Sequence, residues 1–123
     1  MPDLSIDVYD GRDVTARASA AIAASTFVAI SGARSAGLLT VATATAGGRT
    51  AGVAKYDAAS GELVGLARGN ARILRIVAGA NLTAGAEVEV GTAGKAIPKA
   101  SGVAVGYAVD TATTGALAAI SLY

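Results

Sequence analysis

The sequence predicts an all-β fold, a small β-barrel or sandwich with little helix. Three observations carry this prediction. Strand-like segments show apolar residues at alternate positions, as at Val103, Val105, Tyr107 and Val109, which places those side chains on one face of a strand. Glycine-rich turns separate these segments. Apolar residues make up 53% of the chain, but much of this is alanine, and one Phe and four Tyr supply all the aromatic side chains. A single thin core is therefore expected.

The C-terminal part of the chain is typical of a β-hairpin. Residues 110–115 carry turn chemistry, and the strand that follows places Ala118, Ile120 and Leu122 on one face. Residues 52–66 align with residues 106–120 and repeat Gly, Ala, Ala, Gly and Leu in register. A duplicated hairpin is one interpretation, because one hairpin buries too little surface to be stable by itself. Chance recurrence in a chain rich in Ala and Gly is the other, and it remains open at this point.

The remaining strands are short and are separated by turns. Residues 18–25 predict a turn or one helical turn, residues 32–37 a surface loop, and residues 91–100 a loop. Glycines 32 and 37 have the spacing of a phosphate-binding loop, but Leu38 and Leu39 replace the required Lys and Ser/Thr, so phosphate binding is not predicted. The predicted strands of this region are residues 13–17, 26–30 (closed by Ser31 and Gly32) and 38–44.

Two carboxylates alternate with valines near the middle of the second half of the chain. Glu87 and Glu89 lie on one strand face, and Val88 and Val90 lie on the other. Paired carboxylates can perform acid–base chemistry. No basic or aromatic residues surround this pair in the sequence, so a solvent-exposed strand face is the favoured interpretation.

Three arginines, Arg68, Arg72 and Arg75, flank a Gly-Asn turn. On a strand, Arg72 and Arg75 differ in parity and would not form one stripe. Solvated arginines on the flanks of a hairpin are one interpretation. A contact patch for an acidic surface of a partner is the other.

Residues 1–11 differ in character from the rest of the chain and predict an extended N-terminal arm, followed by one β-rich domain over residues 12–123. A frayed terminus is the alternative, but such a tail has no need of large apolar side chains. We expect the arm to lie on a neighbouring subunit or on another partner, where its Asp3, Asp7 and Asp10 would meet basic groups. Its candidate interface residues are Leu4, Ile6, Val8 and Tyr9.

The residue inventory excludes several classes of function. The chain contains no His and no Cys, which removes the Ser-His-Asp and Cys-His nucleophilic sites and the common zinc, haem and iron–sulfur ligand sets. Its nine carboxylates form no calcium-loop pattern. The net charge of +1 does not favour nucleic acid or an anionic membrane, and the most apolar run, residues 18–33, is too short to span one. No enzyme activity, cofactor or metal site is predicted.

Several segments, taken in order, resemble the capsid decoration (cement) proteins of tailed bacteriophages, and the resemblance covers roughly residues 13–123. Each segment is simple, so their order and spacing carry the comparison. Residues 1–11 lie outside it, and residues 31–48 are variable in character. The segments are FVAISG (27–32), GVA (52–54), DAASGE (57–62), TAGAEVEV (83–90) and GVAVGYA (102–108).

This resemblance implies a structural protein on the outer surface of a virion capsid. It implies binding to the major capsid protein as homotrimers at three-fold and quasi-three-fold positions, stabilisation of the shell, and no catalytic residues. A stand-alone β-barrel module that binds a small molecule or a glycan is the alternative function. Exposed aromatic residues gathered at one end of the barrel would favour that alternative, whereas Tyr9, Tyr56, Tyr107 and Tyr123 are scattered in the sequence.

Overall fold

The computed structural model describes residues 13–123, which form ten β-strands and one 3₁₀ turn. This part of the chain is nearly all β, as the sequence predicts. The elements are β1 (Asp13–Ala18), β2 (Phe27–Ser35), β3 (Leu38–Thr43), β4 (Gly52–Ala54), β5 (Leu63–Ala67), β6 (Ile73–Val77), β7 (Glu87–Val90), the 3₁₀ turn (Thr92–Gly94), β8 (Ala96–Pro98), β9 (Gly106–Ala108) and β10 (Leu117–Leu122).

The first five strands form a closed barrel in the order β1-β3-β2-β4-β5. Antiparallel pairing of β1 with β5 and parallel pairing of β1 with β3 close it. Buried residues alternate along β1 and β5, and together with buried residues of the other three strands they pack the interior with side chains. The largest of them are Val28, Val41, Val64 and Leu66.

The last five strands form a second sheet in the order β6-β10-β9-β7-β8. Ala118, Ile120 and Leu122 of β10 all point into its core, as predicted from their shared parity. Ile76 of β6 and Val88 of β7 belong to the same buried core.

The two halves repeat one topology. The β4–β5 pairing of Val53 with Ala67 recurs in the β9–β10 pairing of Tyr107 with Ser121. The turns between these strands also correspond, since Gly61 and Gly115 share a φ of +87°. The predicted duplication of residues 52–66 and 106–120 is therefore present, and it extends to the other strands of each half. Isolated bridges recur as well, at Ile22–Ala58 and Leu82–Ala112.

The halves differ in the length of one hairpin, which is β2–β3 in the first half and β7–β8 in the second. Ten residues (31–40) separate the paired Ile30 and Val41 of β2 and β3, whereas five (91–95) separate Val90 and Ala96 of β7 and β8. The longer β3 reaches β1 and closes the first barrel. The shorter β8 pairs with β7 on one side, but on the other side it makes a single bridge, to Ala78, which leaves the second sheet open there. Three side chains of the first half join the second core: Phe27, Ala44 and Val53.

Two sequence predictions in the first half need correction. The strand predicted at residues 26–30 does not end at Ser31 and Gly32 but continues to Ser35, and the predicted loop at residues 32–37 is the tip of the β2–β3 hairpin. Irregular register on either side of Gly32 lets the strand continue through that glycine. The Thr40 hydroxyl donates to the Ala33 carbonyl across the hairpin at 2.8 Å.

Two further corrections concern the second half. The predicted loop at residues 91–100 contains the 3₁₀ turn and β8. The predicted strand face of alternating valines is also wrong, because β9 is only three residues long, and Val105 is buried whereas Tyr107 and Val109 are exposed. The inward residues of β9 are Gly106 and Ala108. Gly106 lies so close to the Ser121 carbonyl that a side chain there has no room. This close contact determines which residues of β9 point inward.

Candidate interaction surface

The described residues contain no arrangement typical of a catalytic or metal site. Between residues 13 and 123, no group of three or more Asp or Glu could hold a metal ion. Every buried polar side chain of this part of the chain has a hydrogen-bond partner. The same residues include no helix that is long and apolar enough to cross a membrane. The features of the described residues that could bind a partner therefore lie on the surface.

The two glutamates of β7 occupy different environments, which corrects the predicted solvent-exposed face. Glu87 is exposed, but Glu89 is only 5% exposed. The Oε1 atom of Glu89 accepts hydrogen bonds from the backbone N–H groups of Ala100 and Gly102, and the second bond measures 3.3 Å. A buried carboxylate needs such partners. Glu89 therefore anchors the segment between β8 and β9 and is structural.

The three candidate arginines lie near the junction of the two halves. Arg68 and Arg72 are half-buried and adjacent, and Arg72 Nη1 donates to the Arg68 carbonyl at 3.3 Å. Arg72 and Arg75 border a groove of about 260 Å³ between the halves, together with Leu74 and Lys55. Arg72 lies one residue before β6, so its difference in parity from Arg75 does not keep the two apart. This groove is cationic along its rim.

Asp13 lies at the same junction. Its Oδ1 atom is 2.6 Å from Arg72 Nη1, and its Oδ2 atom is 3.2 Å from Lys55 Nζ. The hydrogen bond from Arg72, followed by that from Lys55, lowers the pKa of the Asp13 carboxyl below its usual 3.8. The ion pairs hold the start of β1 beside Arg72, the residue that precedes β6.

The outer face of the β6-β10-β9 sheet carries large apolar side chains in contact with solvent. Strand register places Ile73 opposite Ser121, and Ser121 opposite Tyr107, in one row across the sheet. Arg75 lies at the β6 edge. Isolated exposed apolar residues are ordinary, but a contiguous group marks an interaction site. This surface, termed the apolar face, consists of Ile73, Tyr107, Val109, Leu117 and Tyr123.

The corresponding face of the first half has a different chemistry. Strand register matches Ile73 with Asp13, Val77 with Arg17, and Leu117 with Leu63. Charged groups thus replace two apolar side chains of β6. The fold does not require the apolar residues of β6, since the first half forms the same strand pairing with charges there. Their presence on one half alone indicates a contact.

An aromatic pair lies on the apolar face. The ring centroids of Tyr107 and Tyr123 are 6.1 Å apart, and the Tyr123 hydroxyl donates to Glu87 Oε2 at 2.6 Å. This hydrogen bond to the carboxylate is the main cause that raises the pKa of Tyr123 above its usual 10.0. The sequence placed these tyrosines apart, because only the pairing of β7, β9 and β10 brings them together.

Two open clefts lie near Arg68: one of about 490 Å³ between the halves, and one of about 580 Å³ lined by Arg68 and residues of the first half. Both are lined by Thr50, Ala51 and Arg68. Tyr123 borders the first cleft only, and its partner Tyr107 borders neither. The interior of the closed barrel is filled by its own side chains, so a small ligand has no enclosed site there.

The candidate arm residues Leu4, Ile6, Val8 and Tyr9 lie outside the described residues. The sequence did not identify the apolar face. The feature of the sequence that pointed to this face was the shared parity of Tyr107 and Val109. It correctly places both side chains on one face, but it does not show whether that face is exposed.

Comparison with known proteins agrees with this architecture. The family model described as phage cement protein matches residues 7–122. The chain belongs to the phage cement protein family. Among solved structures, the N base of head fiber gp8.5 in bacteriophage phi29 is similar, with a TM-score of 0.76 and 25% sequence identity over 90% of this chain and 92% of that chain. No curated protein matches the chain.

Membership of this family gives the protein its general role. It is a phage structural protein that decorates the capsid and resides on the surface of the virion. The resemblance found in the sequence is thus confirmed. A cement protein acts through surfaces, which agrees with a described region that holds an apolar face and a cationic groove.

Proposed function

We propose that this cement protein binds the major capsid protein as homotrimers at three-fold and quasi-three-fold positions of the shell, and that it stabilises the shell without catalysing a reaction. The observation that carries the proposal is the apolar face. It carries Ile73 and Val77 where the first half of the same fold carries Asp13 and Arg17. Covering that face on the shell removes apolar surface from water, at roughly 25 cal/mol per Å².

The small size of the core supports assembly. The largest fully buried side chains of the described residues include one Phe and a few Leu and Ile, and the rest of the core is mostly Val and Ala. Contacts between copies would bury surface that one chain cannot bury, and occupancy of the lattice would stabilise the folded chain by mass action.

We propose the arm and the three arginines as contact elements, with residues 12–123 as the decoration domain. Residues 1–11 would lie extended on a neighbouring decoration subunit or on the capsid protein, through Leu4, Ile6, Val8 and Tyr9. Arg68, Arg72 and Arg75 would face acidic groups of a partner. Arg72 also holds Asp13, so its role at the junction is structural as well.

Leu117→Ser tests the role of the apolar face. Leu117 is 50% exposed, so the change should leave the fold intact and lower the occupancy of the protein on capsids. Leu63→Ser is the matched control, since Leu63 is the counterpart of Leu117 and is 48% exposed. Equal occupancy of the two variants would contradict the proposal.

Virions with and without the protein test stabilisation directly. Genome release on heating or at low salt should be faster from undecorated shells. A reconstruction of decorated shells should show three copies in mutual contact. Equal release rates would contradict the cementing role, and isolated single copies would contradict the trimer.

A further inference from the structure

We propose that the apolar face of each copy receives the N-terminal arm, residues 1–11, of a neighbouring copy. The face is built from three strands about 4.8 Å apart, so it is roughly 10 Å wide and, along β10, about 20 Å long. An extended segment with alternating apolar side chains fits such a surface. Each strand-like segment presents every second residue to one side.

The arm has the matching pattern. Leu4, Ile6 and Val8 share one parity, while Asp3 and Asp7 share the other. The apolar row would lie against the sheet, and the aspartates, on the opposite side of the segment, would stay within reach of long basic side chains.

Charge also matches. Residues 1–11 contain three Asp and no cation, a charge of −3. Residues 12–123 contain all ten Lys and Arg and the other six Asp and Glu, a charge of +4, and the sum is the net +1 of the chain. On the receiving side, Arg75 is exposed at the β6 edge of the face, and Arg72 and Lys55 lie along the groove beside it. An acidic segment is attracted to this edge.

The position of Asp13 determines how far the arm can extend from its own copy. Asp13 is held by Arg72 and Lys55, so the arm leaves from the junction of the halves. Eleven extended residues span about 36 Å. This length is enough to leave one copy and cover the apolar face of the next.

A closed three-fold ring favours exchange between copies. An arm passed from each copy to the next covers all three faces with one repeated contact. An arm folded back on its own chain would add no contact between copies. We therefore assign the face to the arm of the neighbouring copy, an assignment that rests on the trimer proposed above.

Cross-linking on decorated capsids tests the exchange. The chain has no cysteine, so single replacements are unambiguous. Capsids are decorated with an equal mixture of Val8→Cys and Leu117→Cys proteins and treated with a short bismaleimide. We expect a prominent linked pair of the two proteins. With Leu63→Cys in place of Leu117→Cys, we expect the yield to fall at least about tenfold, because Leu63 lies on the corresponding face of the first half, beside the charged Arg17.

Three results would overturn the inference. One is equal yield with the Leu117 and Leu63 partners. Another is linkage within one chain in a Val8→Cys/Leu117→Cys double variant without linkage between the two single variants. The third is linkage of the arm to the capsid protein alone. If the trimer is seen on the shell and any of these results is obtained, the arm assignment alone is wrong. If no contact between copies is seen, the proposed trimer fails as well.

A charge exchange gives a second readout. Arg75→Glu should lower the Val8–Leu117 yield several-fold, and combination with Asp7→Lys should restore it. A yield unchanged by Arg75→Glu would also count against this assignment. Both replacements alter exposed or terminal positions, so capsid occupancy measured in parallel reports any loss of folding.

Discussion

The two halves of this cement protein share strand pairing, turn geometry and connecting hydrogen bonds, yet they differ in closure and in surface. The first is a closed barrel with charged residues such as Asp13 and Arg17 outside β1. The second is an open sheet completed by Phe27 of its neighbour, with apolar residues outside β6. Strand pairing tolerates very different outward side chains, because these face solvent or a partner. The duplicated fold thus leaves each outer face available for a different contact.

Phe27→Ala should produce the largest effect. Phe27 is fully buried and belongs to the core of the second half. Its loss should lower the free energy of unfolding by about 3–5 kcal/mol, measured by chemical denaturation. Glu87 is the counterpart of Phe27 and is exposed, so Glu87→Ala is the matched control and should cost far less. If the Ala variant does not fold, Phe27→Leu should give a smaller loss. Equal losses at 27 and 87 would show that Phe27 does not complete the second core.

Glu89→Ala should have the next largest effect. It removes the acceptor of two backbone N–H groups in a buried position, which should cost about 1–3 kcal/mol. The counterpart in the first half is already Ala29, where no such anchor exists. Glu89→Gln keeps one oxygen acceptor and should lose less. Hydrogen exchange at Ala100 and Gly102 should increase in the Ala variant. Unchanged protection would contradict the anchoring role.

Gly61→Ala and Gly115→Ala should have equal effects. Both glycines have a φ of +87°, and a Cβ at either position meets open space, so only the backbone conformation is strained. Each change should cost roughly 1–2 kcal/mol. Denaturation of the two variants tests whether the turns are energetically equivalent. A clear difference would show that the repeat is geometric only.

Asp13→Asn should have the smallest effect, and it should depend on pH. The folded-state pKa of Asp13 is lowered by Arg72 and Lys55, so the carboxylate stabilises the fold above pH 3.8 and this contribution is lost as pH falls through the folded-state value. The stability difference between the wild-type protein and Asp13→Asn should therefore shrink in acid, and also at high salt. Its counterpart, Ile73, cannot titrate. A difference that stays constant through acid pH would contradict the ion-pair origin.

Much of the fold could be predicted from the sequence, because period-two patterns and glycine turns are local. The shared face of Ala118, Ile120 and Leu122 was predicted correctly for this reason, and the duplicated turn, one of two interpretations of the sequence, is present. Alternation separates two faces but does not say which one is buried, so the sequence did not show which residues of β9 point inward. Gly106 decides that through its contact with the Ser121 carbonyl, which lies on another strand.

The sequence by itself determined the strand-rich class, the absence of His and Cys chemistry, and the resemblance to the cement family. Only the tertiary structure decided that Phe27 completes the core of the other half, that Glu89 is buried, and that Tyr107 and Tyr123 join Leu117 on an exposed face. The physical reason is the range of the interactions. Turns and alternation depend on neighbours in the chain, whereas burial and surface contacts depend on strands that are distant in sequence and meet only in the folded protein.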